Sequence, residues 1–292
     1  MKPITLARIK RKIIRTFFRE QWMPVICGLD GSRLKTITPP RDRFWADPFV
    51  IEDRGKTYVF VEQQIGEGKG CKGTLGVFEL FPGMTLSPFV SILEKPYHLS
   101  FPNVFRTGNE WYMIPETHEN KTIDVYRAAD FPYTWRHEMT LVSGIEAVDS
   151  VVFEHNEKYY LFTSVGGEGR NCNGNLFLFY ADRFPSDAWT PHPRNPVCSD
   201  ARNSRMAGAL FVHDGKIYRP AQDCLKDYGR STNVNEIIEL SPDSYKERIV
   251  KTIYPERGLH EVCTHTLNYS DHFMARDVKT RRFFLDTPVF AR

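Results

Sequence analysis

Three carboxylates, Asp47 in RFWADPF, Glu116 in YMIPET and Asp149 in IEAVDS, have the setting that most suggests chemistry. Each stands where an apolar, strand-like run begins or ends. Acids gathered at one place can divide the work of proton transfer, one held protonated and another ionised. Glu62 in VFVEQ, and Gln222 followed by Asp223 in YRPAQD, occupy places like that of Glu116, after similar turns. Cationic and imidazole side chains accompany them: His98 in PYHLSFP, Arg127 in VYRA, Arg202 and Arg205 in DARNSRMAG, Arg219 in YRPAQD, and His265 in THT. Arg202, Arg205 and Arg219 gather around one segment, and planar guanidinium groups suit phosphate or carboxylate recognition. An aspartate at a turn also accepts backbone N–H bonds for purely structural reasons, so the elements that carry these residues decide between the two roles.

Asp47 precedes Pro48, whose fixed φ and missing N–H suit the first residue of a strand. The stretch FVIEDRGKTYVFVEQ then predicts a hairpin turning at residues 53 to 55. The same pattern returns as SFPNVFRTGNEWYMIPE, VDSVVFEHNEKYYLFTS and AGALFVHDGKIYRPAQD. Eleven residues separate each lead position (Asp47, Phe101, Asp149, Ala207) from a Tyr, and the leads lie 54, 48 and 58 residues apart. A fifth, degraded copy is expected around CTHTLNYSDHFMARD. Further strand-like runs, such as TLGVFEL, IDVYRA, NLFLFYA and NVNEIIEL, bring each unit to about four strands. The reading is an all-β, five-bladed β-propeller formed as a single domain over residues 21–292. A β-sandwich would give no reason for so fixed a signature. In a propeller the lead positions face one axial funnel, where Asp47 and Asp149 converge and Glu116, Glu62 and Gln222 form a second ring.

The first twenty residues differ from the rest, with seven Lys or Arg against one Glu, while the remainder carries 32 basic and 35 acidic residues. Leu6, Ile9, Ile13 and Phe17 recur at helical spacing, which predicts a basic amphipathic helix over residues 1–20. Such a helix either lies on an anionic membrane surface or packs on the propeller's side. Basic residues interrupt every candidate signal core, so the expected location is cytoplasmic, with peripheral contact at the inner membrane face as the membrane-bound form of that expectation. No run approaches the roughly eighteen apolar residues of a membrane-spanning helix. The six cysteines lack CxxC pairing, which argues against a zinc site and for free thiols. No GxxxxGKS loop or HExxH occurs, no cofactor or metal is expected, and the slightly negative body argues against nucleic acid as a partner. The Gly-rich segments IGEGKGCKG and EGRNCNGN predict exposed loops.

The ordered motifs PPRDRFWADPFV, EKPYHLSFPNVF, YMIPET, DVYRA, FYAD, HPRNPV, DARNSRMAG, YRPAQDC and HT resemble the N-terminal domain family of glucosamine inositolphosphorylceramide transferase and its bacterial relatives. The resemblance runs from about residue 21 to 277. It implies a five-bladed propeller related to glycoside hydrolase families 43 and 32, and a carbohydrate-active protein, although the plant transferase activity is placed in a different, C-terminal domain. In those hydrolases an Asp of the first blade is base or nucleophile, a second-blade Asp tunes it and a third-blade Glu is the acid. Asp47 matches the first, Phe101 stands at the second, and Glu146 and Asp149 both lie near the third.

Three functions follow. In a glycosyltransferase, Asp47 takes the acceptor's proton, and Glu116 and Asp149 hold sugar hydroxyls. Arg202, Arg205 and Arg219 stabilise the departing phosphate of a sugar nucleotide or sugar phosphate donor, and the acceptor is a surface glycan or glycolipid. In a glycoside hydrolase or phosphorylase, Asp47 pairs with Glu116 or Asp149. In a non-catalytic glycan-binding propeller, the same residues only bind. Trp45, Glu62, His98, Arg127, Gln222, Asp223 and His265 complete the expected substrate contacts.

Overall fold

The computed structural model describes residues 18–66, 68, 70–166 and 172–283. Their strands form five antiparallel sheets, and helix among them is confined to two single 3-10 turns, His118–Asn120 and Arg257–Leu259. Blade I runs outward from Arg43–Asp53 through Lys56–Ile65 to Gly73–Phe81, with Thr85–Leu86 and Val90–Leu93 on its outer edge. Blade II is Ser100–Thr107, Glu110–Glu116, Thr122–Asp130 and Thr134–Ser143, and blade III is Ala147–His155, Lys158–Val165, Leu176–Ala181 and Thr190–Pro191. Blade IV begins with Arg205–Met206 and Phe211–His213, followed by Lys216–Asp223, Ser231–Leu240 and Tyr245–Ile253. First strands touch between blades I and II, II and III, III and IV, and V and I, and the Leu267 N–H donates to the Ala207 carbonyl at 2.7 Å to link blade V with blade IV, which is the geometry of a five-bladed propeller.

Blade V joins the two ends of the described chain. Its inner segments Glu261–Cys263 and Leu267–Tyr269 pair with Phe273–Phe283, which pairs in turn with Phe18–Gly28 over eleven residues, and Arg33–Thr36 forms the edge. The degraded fifth copy is therefore the inner hairpin of a real blade. The same pairing corrects the N-terminal expectation: Phe18, Arg19 and Glu20 begin a strand rather than end a helix. Glu20 sits opposite Arg281 and forms ion pairs with it at 2.9 Å and with Lys279 at 3.8 Å, so cross-strand charge favours the extended form. The rest of the expected helix, residues 1–17, lies outside the described residues. No helix among the described residues is long and apolar enough to cross a membrane.

Asp47 is not at the start of a strand. The strand Arg43–Asp53 runs through it, and the register with its neighbour breaks between Ala46 and Phe49. Pro48 thus occupies a bulge, where its missing N–H removes no ladder bond. Matching breaks occur between Ser100 and Asn103 and between Val148 and Val151. Asp47, Phe101 and Asp149 have φ of 51°, 48° and 51°, a left-handed conformation that non-glycine residues seldom adopt. One bulge thus recurs in three blades and re-aims the lead side chain. Below it, Phe49, Phe60, Phe101, Met113, Phe162 and Met206 belong to one buried cluster, with Phe49 and Phe101 edge to face at 5.1 Å. Such a pair contributes about 1 kcal/mol beyond its buried area.

Candidate active site

The bulges and the ends of the second strands bring Asp47, Glu62, Glu116, Asp149 and Asp277 within electrostatic reach of one another, all buried. Like charges so crowded cannot all ionise, so the cationic partners decide where protons stay. Two arrangements divide the cluster.

The first is built on Asp47. Its Oδ2 accepts the Phe101 N–H at 3.2 Å, and its Oδ1 accepts the Thr266 hydroxyl at 2.8 Å. The His265 Nε2 lies 3.5 Å from the same Oδ1, and Nδ1 lies 2.6 Å from Asp277 Oδ2. Asp277 in turn accepts the backbone N–H groups of His265 and Thr266, each at 3.0 Å, and of Asp47 at 3.1 Å. Burial disfavours a charged His265, but Asp277 and Asp47 outweigh it and raise its pKa. Burial also raises Asp47, against the pull of His265, which makes it a stronger base than a free aspartate once ionised. Backbone donors and His265 hold Asp277 below the usual carboxylate range, despite its burial. Trp22 stacks on His265 at 4.0 Å, and Tyr228, 42% exposed, meets it edge-on at 5.3 Å.

The second arrangement is built on Arg205. Its Nε donates to Asp149 Oδ2 at 2.6 Å, one terminal nitrogen to Glu116 Oε2 at 3.4 Å and the other to Asn173 Oδ1 at 3.1 Å. Gln222 also donates to Asp149 Oδ2, at 3.0 Å, and is fixed by the Met206 carbonyl at 2.8 Å. The His118 Nδ1 stands 3.0 Å from Glu116 Oε1. Burial pushes Asp149 up to about 8, against Arg205 and with help from the charges of Glu116 and Asp47. Burial acts the same way on Glu116, but His118 and Arg205 overcome it and hold that acid at about 2. Two carboxyl groups in one pocket thus differ in protonation at neutral pH, the division of labour that acid–base catalysis requires.

Glu62 completes the ring and is pushed well above the ordinary range by burial and by its carboxylate neighbours. The His98 Nε2 is 3.5 Å from it, while His98 Nδ1 accepts the Gly73 N–H at 2.9 Å, which places the neutral ring's proton on Nε2 toward Glu62. Gly73 is required there, because a Cβ would lie 2.2 Å from the Leu99 carbonyl oxygen and 2.8 Å from Glu62 Oε1. Asp47, His265 and Asp277 offer three ligand atoms within 4.8 Å of one another, the one such group among the described residues. Both oxygens of Asp47 and of Asp277 already accept hydrogen bonds, and the His265 Nδ1 lies 2.6 Å from Asp277 Oδ2.

The structure therefore gathers Asp47, Glu62, His98, Glu116, Asp149, Arg205, Gln222 and His265, and it leaves five expected contacts elsewhere. Arg202 is exposed and held by Asp200 two residues away, with Nε and a terminal nitrogen donating at 2.6 to 3.0 Å. Arg219 is wholly buried, donating to both oxygens of Glu247 at 2.7 and 2.8 Å and to the Asn203 carbonyl at 2.8 Å. The expected three-arginine phosphate clamp is thus not formed. Arg127 pairs on the surface with Glu138 at 3.0 Å, and Trp45 is a core residue whose Nε1 donates to Gln63 at 3.2 Å. Asp223 caps a turn by accepting the Leu225 N–H at 3.1 Å. Sequence reasoning missed Asp277, Thr266, His118, Asn173, Trp22 and Tyr228.

The described strands thus form a five-bladed propeller that gathers a buried, charge-divided carboxylate cluster. Residues 23–265 match the family described as glucosamine inositolphosphorylceramide transferase 1, N-terminal, and the chain belongs to that family. The protein named glucosamine inositolphosphorylceramide transferase 1 is 35% identical in Arabidopsis thaliana and 32% identical in Oryza sativa subsp. japonica, over 208 residues. Those residues make up 70% of this chain and 27% of each relative, so the chain matches about a quarter of their length. Among solved structures, the catalytic domain of a Coprinopsis cinerea GH62 α-L-arabinofuranosidase shares the fold with a TM-score of 0.61 at 14% identity, covering 91% of this chain and 98% of that one. A family 117 glycoside hydrolase from Zobellia galactanivorans does so with a TM-score of 0.57 at 14% identity, covering 90% of each.

Proposed function

We propose that this protein moves a glycosyl group from a phosphate-activated sugar donor to an acceptor hydroxyl of a glycan or glycolipid, with the sugar seated in the propeller funnel. The observation that carries the reading is the split between Asp149, raised to about 8, and Glu116, held at about 2, in the same pocket as Asp47. The C–O bond to the leaving group breaks as the Asp149 proton moves onto the departing oxygen. The acceptor oxygen forms the new C–O bond and passes its proton to Asp47. Glu116, ionised at neutral pH, stabilises the positive charge that develops on the sugar. The curated relatives' name supports transfer over hydrolysis; water as acceptor would give the hydrolase reaction.

One observation favours a second reading, sugar binding without turnover. Arg205 and Gln222 both occupy Asp149 Oδ2, which restrains the acid. Product analysis with wild type, Asp47→Asn and Asp149→Asn separates the readings. Transfer predicts a glycosylated acceptor from wild type and a loss of roughly 100-fold or more in each variant. Binding of sugar by all three proteins with no product from any refutes catalysis.

A further inference from the structure

The three arginines expected to hold a phosphate do not meet, yet a cationic cleft of about 810 Å³ opens between blades IV and V. That volume suits a small-molecule site. Arg230 lines it from blade IV, Arg257 and His260 from the 3-10 turn between the blades, and Arg281 from blade V. Arg281 is engaged by Glu20 at 2.9 Å, whereas Arg230 and Arg257 have no ion-pair partner among the described residues. The lining carboxylate, Glu261, is buried and already held by Arg33 and, at 3.4 Å, by Arg276. Positive charge is therefore left facing the cleft. Tyr254 and Phe18, 62% and 38% exposed, add aromatic surface to its wall.

The cleft also adjoins the funnel. Gly229, next to Arg230, packs so closely on the site that a Cβ there would lie 2.5 Å from the His265 Cβ and 3.3 Å from the Trp22 ring. The Gly229 carbonyl accepts the Thr264 N–H at 3.0 Å, which ties the Arg230 loop to the segment carrying His265, between the strands Glu261–Cys263 and Leu267–Tyr269. Residues 229 and 230 thus border both the His265 side of the funnel and the cleft.

We propose that this cleft binds the phosphate group of a substrate, as a monoester or diester, while the attached sugar occupies the funnel; the inference rests on the glycosyl-transfer reading. Guanidinium groups without protein partners are suited to this, since their planar forks match phosphate oxygens. The phosphate can belong to a soluble activated donor or to a glycolipid headgroup, and both present the same chemistry to Arg230 and Arg257.

The test uses the full chain, with inorganic pyrophosphate as the soluble probe and phosphatidylcholine vesicles with and without phosphatidylinositol as the lipid probe. Calorimetry and vesicle flotation compare wild type, Arg230→Ala/Arg257→Ala, the exposed single change Arg257→Glu, and Asp47→Asn. Wild type is expected to bind one of the two phosphate probes, more weakly as salt rises. The double variant should lose about tenfold or more, as expected for charge-assisted bonds, and Arg257→Glu should lose binding without altering the urea unfolding midpoint. Asp47→Asn should bind pyrophosphate, which carries no sugar, as wild type does. Pyrophosphate binding assigns the soluble source, and binding to phosphatidylinositol vesicles alone assigns the lipid source. Failure of both probes, or binding that both arginine variants retain within about twofold of wild type, overturns the proposal. Loss of the transfer reading would look different: phosphate binding intact, with no product from wild type.

Discussion

Replacing Asp149 by Asn keeps the shape of the side chain and removes its proton equilibrium. The folded protein holds that proton up to about pH 8, while the model value for a free Asp side chain is 3.8. Between those values the folded state binds one proton more than the unfolded state, so this group's contribution to stability is complete below about pH 4 and is lost as pH rises through about 8. One proton corresponds to a slope of about 1.4 kcal/mol per pH unit. Urea unfolding of wild type and Asp149→Asn at a series of pH values reads the difference, because titrations of groups remote from Asp149 are common to both proteins and cancel. The stability difference should shift in the variant's favour by approaching that slope across the window. Parallel profiles would mean that Asp149 is ionised in the folded protein, and would remove the acid from the mechanism.

Other perturbations act on the supports of the site. Arg205→Ala leaves Asp149 and Glu116 without their shared cation and should destabilise by about 3–5 kcal/mol in chemical denaturation; a loss below about 1 kcal/mol would show that the ion pairs are not formed. Arg219→Ala should cost a similar amount by stranding Glu247, and sugar binding by the protein that remains folded should match wild type, since Arg219 does not reach the cluster. Gly73→Ala forces its new methyl onto the Leu99 carbonyl and Glu62 and should destabilise by about 1–3 kcal/mol; an unchanged unfolding midpoint would contradict the close packing there.

The repeat was legible because the hairpin signature recurs at Asp47, Phe101 and Asp149, and the structure puts the same bulge at all three. The bulge itself was not, since an Asp-Pro pair suits a strand's start as well as an interruption within it. Strand alternation carried a signal about the arginines: Arg219 and Gln222 are three residues apart on Lys216–Asp223 and so face opposite sides, one toward Glu247 and the other toward Asp149. Trp45 shows the limit of such counting, because it lies two residues before Asp47 but the bulge breaks the alternation between that strand and its neighbour. Asp277 and Thr266 belong to the blade whose signature has decayed, and their contacts with Asp47 span more than two hundred residues of sequence, as the 219-residue separation of Thr266 and Asp47 shows. Only ring closure brings them together.

The central claim is that the funnel binds a sugar at Asp47 and Asp149. A thermal-shift screen of wild type and Asp47→Asn against sugar nucleotides, sugar phosphates, free sugars and oligosaccharides tests it most directly. A ligand at about 100 times its dissociation constant stabilises a fold by roughly 2.7 kcal/mol, which is readily seen. The account predicts that wild type is stabilised by an activated sugar or a glycan and that Asp47→Asn responds less to the same compound. Stabilisation of both proteins to the same extent would place the ligand away from Asp47, and no response to any sugar would contradict the claim.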